Sequence, residues 1–485
     1  MTLKPLNRTT ANAPVRYPER VVQFGGGNFL RGFVDWMIEI LNEQAGFDSS
    51  IVIVKVTPRG GYDELDAQEG LFHVHLQGML DGKEVSETRL ITCVSRTVYP
   101  YQDYASYLAL AEQPEIRFLI SNTTEAGISY SEGDQFSDQP ASSFPAKLTQ
   151  FLYHRYQHFD GDPSKGCNII PTELIVQNGT QLRDIILRYA DQWGLESGFR
   201  EWIKQHNLFC NTLVDRIVSG FPKAQSDALL QQIGYDDQLL TMGEPYNSWI
   251  IEAPHHLKDE LPIDQTDLGI RVVDDADPYR QTKVRILNGA HSSMTWTGLL
   301  LGFDLVRQCV EHPTVDRFLR DLVYDEIIPS MDLPQDDLKD FAQATFDRFR
   351  NPHIEHHLRD IALNSTSKFR ARMVPTLLGY QQKTGRLPRR VVLVFAALIR
   401  LYKGEWQGET ITLKDDPAAI EWFQQQWQDA NSPAAVVDAV LKNNDLWGED
   451  LSAVPGLRDQ LTDDLTRIDQ GELMALMEAV NETES

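Results

Sequence analysis

Arg20-Val21-Val22-Gln23-Phe24 reads as a short strand, and Gly25-Gly26-Gly27-Asn28-Phe29 follows it without a break. Beyond the glycines, Phe29, Leu30, Phe33, Val34, Met37, Ile38 and Leu41 recur at helical spacing. A glycine turn between a strand and a helix lets the backbone approach a pyrophosphate. The helix start adds unpaired N–H donors and a partial positive charge. Gly25, Gly26, Gly27, Asn28 and Phe29 are therefore candidate cofactor-binding residues. The spacing is G-x-G-x-F and lacks the third glycine of the usual dinucleotide fingerprint. A tight turn needing positive φ is the competing reading. A second apolar strand, residues 51–56, follows and favours the dinucleotide. Its end, Lys55-Val56-Thr57-Pro58-Arg59, has no carboxylate where the ribose of NAD is read. On these residues NAD and NADP both stay open, with a lean to NADP.

Further strands are expected at 117–121 and 168–172. Strands alternating with helices predict an α/β class with a parallel, Rossmann-type sheet. After about residue 284 the pattern turns helical, with stretches at 292–303, 314–328, 336–349, 354–363, 391–402, 417–428, 434–442 and 465–480. The turn-prone Asp274-Asp275-Ala276-Asp277-Pro278 marks the expected boundary. Residues 1–278 then form a dinucleotide-binding domain and 279–485 a mostly α-helical substrate domain.

Composition narrows the partners. Lys+Arg is 45 and Asp+Glu is 70 in 485 residues, a formal net charge of −25. Such a chain lacks the basic footprint for nucleic acid and is unsuited to anionic membranes. No apolar run approaches the roughly 20 residues of a membrane helix. The opening MTLKPLNRTT has no apolar core of a secretory signal. Four scattered cysteines without a C-x-x-C pair argue against a disulfide framework and fit a reducing cytoplasm. One region departs from the acidic background. Residues 341–403 hold twelve basic and three acidic side chains, a local charge of +9.

The second chemical signal is Lys283-Val284-Arg285-Ile286-Leu287-Asn288-Gly289-Ala290-His291, where the two halves meet in sequence. On a regular helix Lys283 and His291 fall roughly 80° apart, with Asn288 within about 60° of His291. The types suit carbonyl reduction. A buried lysine with a lowered pKa exchanges a proton at working pH. An asparagine amide stabilises the oxyanion that forms as hydride arrives. A histidine orients the substrate. The bland alternative is an amphipathic segment with a surface lysine.

FGGGNFLRGFVDW and KVRILNGAH carry a family resemblance. The first is similar to the G-x-G-x-F-x-R turn of the polyol-specific long-chain dehydrogenases, the mannitol dehydrogenase family. The second resembles that family's K-x-x-x-x-N-x-x-H signature. RFLISNTTEAGISY, NTLVDRIVSG, LPQDDLKDFA and RFRNPHIEHHL extend the resemblance over nearly the whole chain, closest to members that act on hexuronates.

The resemblance implies a metal-free, NAD-dependent interconversion of D-tagaturonate and D-altronate. Lys283 matches the acid/base, Asn288 the residue that holds the reacting oxygen, and His291 the substrate-orienting histidine. Asp215 matches an aspartate near nicotinamide and substrate. Two departures stand out. Leu174 replaces an asparagine of mannitol dehydrogenases, which counts against mannitol. Arg280 stands where those enzymes tend to have an acid, which favours an anionic substrate and a lowered lysine pKa.

Lys368, Arg370 and Arg372 are expected to grip the carboxylate of a hexuronate or hexonate, with Arg348 and Arg350 as alternatives. Asn122, Thr123 and Glu125 are candidates for the cofactor groove. His353, Glu355, His356 and His357 look like a metal cluster, with His353 and His357 four apart on an expected helix. The expectation is nonetheless no metal and a solvated face. The rival substrates are fructuronate and fructose. The rival class is a non-catalytic dinucleotide-sensing protein. Nothing in the sequence sets the oligomeric state.

Overall fold

The computed structural model describes residues 3–124 and 126–483. They divide into two compact units. One comprises residues 1–78 and 84–276, the other 79–83 and 277–485.

The first unit is built on a six-stranded parallel sheet. Its strands are β1 (Glu19–Phe24), β2 (Ser50–Val54), β5 (Val94–Val98), β6 (Phe118–Ser121), β7 (Asn168–Pro171) and β8 (Leu208–Phe209). Their order is β5-β2-β1-β6-β7-β8. Burial on both faces explains the unbroken apolar run Ile51-Val52-Ile53-Val54, every residue of which is fully buried. The chain leaves β1 toward β2 and β5, then returns to β6 on the other side of β1. The carboxyl end of β1 is thus the point where strand order reverses, which is where such sheets bind ligands. The first helix runs through three consecutive segments, Asn28–Leu30, a π turn Arg31–Asp35, and Trp36–Ala45.

Two smaller sheets were not expected from the sequence. β3 (Phe72–Leu80) and β4 (Lys83–Ile91) form a hairpin, which β10 (Val218–Gly220) and β11 (Thr241–Gly243) extend in the order β10-β11-β3-β4. β9 (Asn211–Asp215), β12 (Ser248–Glu252) and β13 (Ile270–Val273) form the other, in the order β9-β12-β13.

The second unit is almost wholly helical. Its centre is the helix Arg389–Leu401, in which Val391 to Ile399 are all fully buried. This explains why the longest apolar run in the sequence is short: it is a core helix. Among the described residues no helix is long and apolar enough to cross a membrane. Two expected helices are corrected. The stretch 465–480 is two helices, Leu457–Asp469 and Leu473–Thr483, broken at Gly471 with φ +85°. The stretch 354–363 is helical only at Leu358–Ile361, so 351–357 is irregular.

Candidate functional site

In the first unit the glycine turn is held from beneath. Gly25 has φ +115°, which L side chains rarely adopt, and an added Cβ would stand 3.2 Å from the Asn122 carbonyl oxygen. Gly26 donates its N–H to the Tyr62 hydroxyl at 2.9 Å, and a Cβ there would press on Ile53 and the Tyr62 ring at 3.1 Å. Gly27 differs. It caps the helix, is exposed, and an added Cβ would meet nothing within 4 Å. The open face of the turn is therefore at Gly27 and Asn28, beside the first N–H groups of the helix, and it suits a phosphate.

Arg31 closes the inner side. Its guanidinium donates to the Gly26 carbonyl at 2.7 Å, to Asn28 Oδ1 at 2.7 Å and to Thr241 Oγ1 at 3.2 Å. Phe29 stacks on Phe33 with centroids 4.9 Å apart. One turn below Arg31, Asp35 is fully buried, and neither carboxylate oxygen has a well-formed hydrogen bond among the described residues. Burial pushes its pKa up to about 7, with Gln23 and Arg31 only partly opposing and Glu39 adding to the rise.

Asn122 and Thr123 lie at the same strand ends. Asn122 donates its N–H to the Phe24 carbonyl at 3.3 Å, and its amide donates to Thr172. Thr123 binds Glu173 through both its N–H and its hydroxyl, each at 2.9 Å. Their side chains are thus committed to β7 and its following loop. Glu125 lies outside the described residues. Lys55 does not stand open for a ribose phosphate. Its Nζ donates to the Arg59 carbonyl at 2.7 Å and to the Thr57 hydroxyl. Asp215 ends β9, half-buried and paired in register with Ser248. Leu174 is 60% exposed just beyond β7.

In the second unit Lys283 opens a π turn, Lys283–Leu287, and Asn288 begins the α-helix Asn288–Leu300. An i→i+5 turn advances each residue by less than the α-helical 100°. Over the five steps from Lys283 to Asn288 this shrinks the 80° offset expected for a regular helix and moves Lys283 toward the face of His291. Arg285 locks the turn from behind by donating to Thr376 Oγ1 at 3.0 Å and Ser330 Oγ at 2.6 Å. Arg280 is paired with Asp277 at 3.1 Å, so its charge is partly spoken for.

His291 packs against Phe349, centroids 4.4 Å apart, and edge-on against His356 at 5.0 Å. Its Nε2 lies out of solvent with no hydrogen-bond partner among the described residues. Burial first, then the positive fields of His356, Arg348, Arg372 and Lys368, push its pKa well below the usual value. That shift favours the uncharged imidazole. Arg372 donates to the Asn288 carbonyl at 3.2 Å and to Ser292 Oγ at 2.7 Å, which ties the helix Ser365–Arg372 to the helix of His291. Burial lowers Arg372 to about 10. Lys368 caps Ile361 O at 2.6 Å, and burial together with Arg372 brings it down to about 8 against the pull of Asp415.

Arg370 is separated from this group. Two residues along a helix turn the side chain to the opposite face. Arg370 is exposed, reaches the Asp445 carbonyl at 3.4 Å and lies over Gly448. Arg350 is likewise elsewhere, paired with Asp316 at 2.8 Å. His353 and His357 share no helix, so the chelate geometry assumed for them does not arise. Sequence reasoning gave Tyr62 and Glu173 no part in the site, set His356 aside with the metal look-alikes, and met Arg31 only as the arginine of the G-x-G-x-F-x-R turn. Only Arg31 had a local signal, since Asn28 and Arg31 are three apart at a helix start.

Two family models cover the chain. The Mannitol dehydrogenase Rossmann domain matches residues 19–265 and the Mannitol dehydrogenase C-terminal domain matches 275–469. An altronate oxidoreductase of Bacillus subtilis (strain 168) is 46% identical over 462 residues, covering 95% of this chain and 94% of the relative. One of Yersinia pestis bv. Antiqua (strain Nepal516) is 45% identical over 457 residues, covering 93% and 95%. Among solved structures, D-sorbitol dehydrogenase in substrate-free form superposes with TM-score 0.80 at 19% identity, covering 98% of this chain and 100% of that one. Pseudomonas fluorescens mannitol 2-dehydrogenase, in ternary complex with NAD and D-mannitol, superposes with TM-score 0.67 at 22% identity, covering 99% and 100%. At these identities the solved structures support the fold.

Proposed function

The chain belongs to the mannitol dehydrogenase family, and on that premise we infer that it is an NAD-dependent oxidoreductase interconverting D-tagaturonate and D-altronate. The observation that carries the reading is His291 on one helix with Lys283 and Asn288, its Nε2 out of solvent and its pKa lowered by desolvation and by the positive fields of His356, Arg348, Arg372 and Lys368. An uncharged polyol needs no such field. A sugar acid does.

We assign residues 1–278 to the cofactor and 279–485 to the substrate. Gly25, Gly26, Gly27, Asn28 and Phe29 would hold the dinucleotide, the pyrophosphate lying over Gly27 where the turn is open. Asn122 and Thr123 shape the adjoining strand ends. The cofactor in its reduced form, NADH, would supply the hydride for the new C–H bond at the ketone carbon and would leave as NAD+. Lys283 gives its Nζ proton to the ketone oxygen as that bond forms, and solvent reprotonates it. The Asn288 amide donates to the same oxygen while it carries charge. His291 hydrogen-bonds a substrate hydroxyl through Nε2, and Asp215 supports substrate binding. The cationic side chains around His291 hold the carboxylate. No metal takes part in this scheme. Four buried free cysteines suit a reducing compartment, and we place the enzyme in the cytoplasm.

The test is a panel assay following NADH and NADPH oxidation with D-tagaturonate, D-fructuronate and D-fructose. Fastest turnover is expected with tagaturonate and NADH. Preference for fructose would overturn the assignment of an acid substrate, and preference for NADPH would overturn the cofactor.

A further inference from the structure

The end of β2 lacks the carboxylate that ordinarily reads the ribose of a dinucleotide. Lys55, which stands there, is drawn into its own loop by Thr57 and the Arg59 carbonyl. The place beside the glycine turn is occupied instead by Tyr62. Its hydroxyl accepts the Gly26 N–H at 2.9 Å, and its ring lies 3.1 Å from where a Gly26 side chain would begin.

Tyr62 is held there by its neighbours. Its backbone N–H donates to the Tyr99 hydroxyl at 3.1 Å, and Tyr99 donates to Asp66 Oδ2 at 2.5 Å. The rings of Tyr62 and Tyr99 lie 6.4 Å apart, and the Lys55 ammonium stands 5.6 Å from the Tyr62 ring. Tyr62 itself is half-buried, between the exposed Gly61 and Asp63.

A phenol has one proton to donate besides the lone pairs with which it accepts. The Gly26 N–H engages a lone pair of Tyr62. The phenolic proton has no acceptor among the described residues. Burial raises the pKa of this phenol, with the Gly26 bond opposing, so the proton is kept.

We propose that Tyr62 reads the adenosine ribose of the cofactor, donating its phenolic proton to a ribose hydroxyl in place of the carboxylate that β2 lacks. The proposal rests on the dinucleotide reading above and names the side chain that recognises the sugar next to the adenine. A carboxylate accepts from the ribose hydroxyl, whereas the phenol donates to it and stays uncharged. Because the same hydroxyl holds the Gly26 N–H, ribose recognition and the shape of the glycine turn share one group.

The test is equilibrium binding, by calorimetry, of ADP and of dideoxy-ADP, which lacks both ribose hydroxyls, to wild type and Tyr62→Phe. Wild type should bind ADP about tenfold more tightly than dideoxy-ADP, the scale of one hydrogen bond. Tyr62→Phe should weaken ADP about tenfold and bring the ratio of the two ligands to about one. The ratio is taken within one folded protein, so a loss of stability in the variant cancels from it. A fall in both affinities with the ratio still about ten would mean that Tyr62 only holds the turn, and overturns the proposal. So does a wild-type ratio of about one, whether or not the variant folds. In either case a wild type that binds NADH leaves the dinucleotide reading standing. A wild type that binds neither nucleotide nor NADH overturns that reading and the proposal with it.

Discussion

The two signature helices, one in each unit, both pass through a π turn, yet their polar groups end differently. At the glycine turn nearly every donor is matched by protein. Arg31 spends its guanidinium on Gly26, Asn28 and Thr241, and Tyr62 takes the Gly26 N–H. Of the turn's own backbone, only the open face at Gly27 is left for a ligand. At the Lys283 helix, Arg372 and Lys368 are also held by protein groups, and the exception is His291, whose Nε2 has no partner among the described residues. The first helix offers a cofactor its backbone at an open turn, with the unmatched Asp35 carboxyl buried beneath. The second offers a substrate one side-chain nitrogen that protein leaves unmatched. The difference separates how a fold binds what its family shares from how it selects what distinguishes it.

The largest effect should come from the second helix. Lys283→Ala removes the proton donor and should cut kcat about 1,000-fold, the middle of the range that general acid catalysis contributes. NADH affinity, measured by fluorescence titration, should stay within about twofold because the glycine turn belongs to the other unit. A variant with near-normal turnover would break the assignment of Lys283. Asn288→Ala should cost about 100-fold in kcat, the usual scale for one oxyanion donor.

Within the first helix the comparison sharpens to neighbouring glycines. Gly25→Ala forces a side chain to φ +115° and toward the Asn122 carbonyl, so it should lower stability by about 2 kcal/mol and weaken NADH at least tenfold. Gly27→Ala meets no protein atom, so its melting temperature should be unchanged. Its NADH affinity should still fall, because the methyl group occupies the open face. Equal melting temperatures for the two variants would mean that the turn is not the rigid element described.

How much was legible in the sequence follows the range of each constraint. The glycine turn was legible because only glycine serves at Gly25, a local fact. The Lys283-Asn288-His291 face was partly legible, and the π turn that improves it was not, because no residue type announces one. Arg370 was misgrouped with Lys368 and Arg372 although helical period alone separates it. His356 was unreadable, since its value lies in packing against His291, 65 positions earlier, through an irregular loop. The same applies to Arg350, drawn away by Asp316. The lean toward NADP rested on the missing carboxylate and on Lys55 and Arg59, and of these Lys55 turns into its own loop, onto the Arg59 carbonyl.

The smallest expected effects concern pH, and here the two helices should respond in opposite directions. Asp35 has its folded pKa raised from 3.8 to about 7 by burial. Between those values the folded chain holds a proton that the unfolded chain has lost, so stability falls as pH rises through this window. Asp35→Asn removes the penalty. It should exceed wild type in urea stability at pH 8, and the gap should shrink by about 2 kcal/mol on going to pH 5. His291 is the mirror case. Its folded pKa lies well below 6.5, so under acid the unfolded chain binds a proton that the folded chain refuses. Stability is then lost as pH falls below about 6.5, and His291→Asn should spare about 2 kcal/mol of that loss at pH 5. If both variants shifted stability with the same sign of pH slope, the contrast between the two titrating groups would fail.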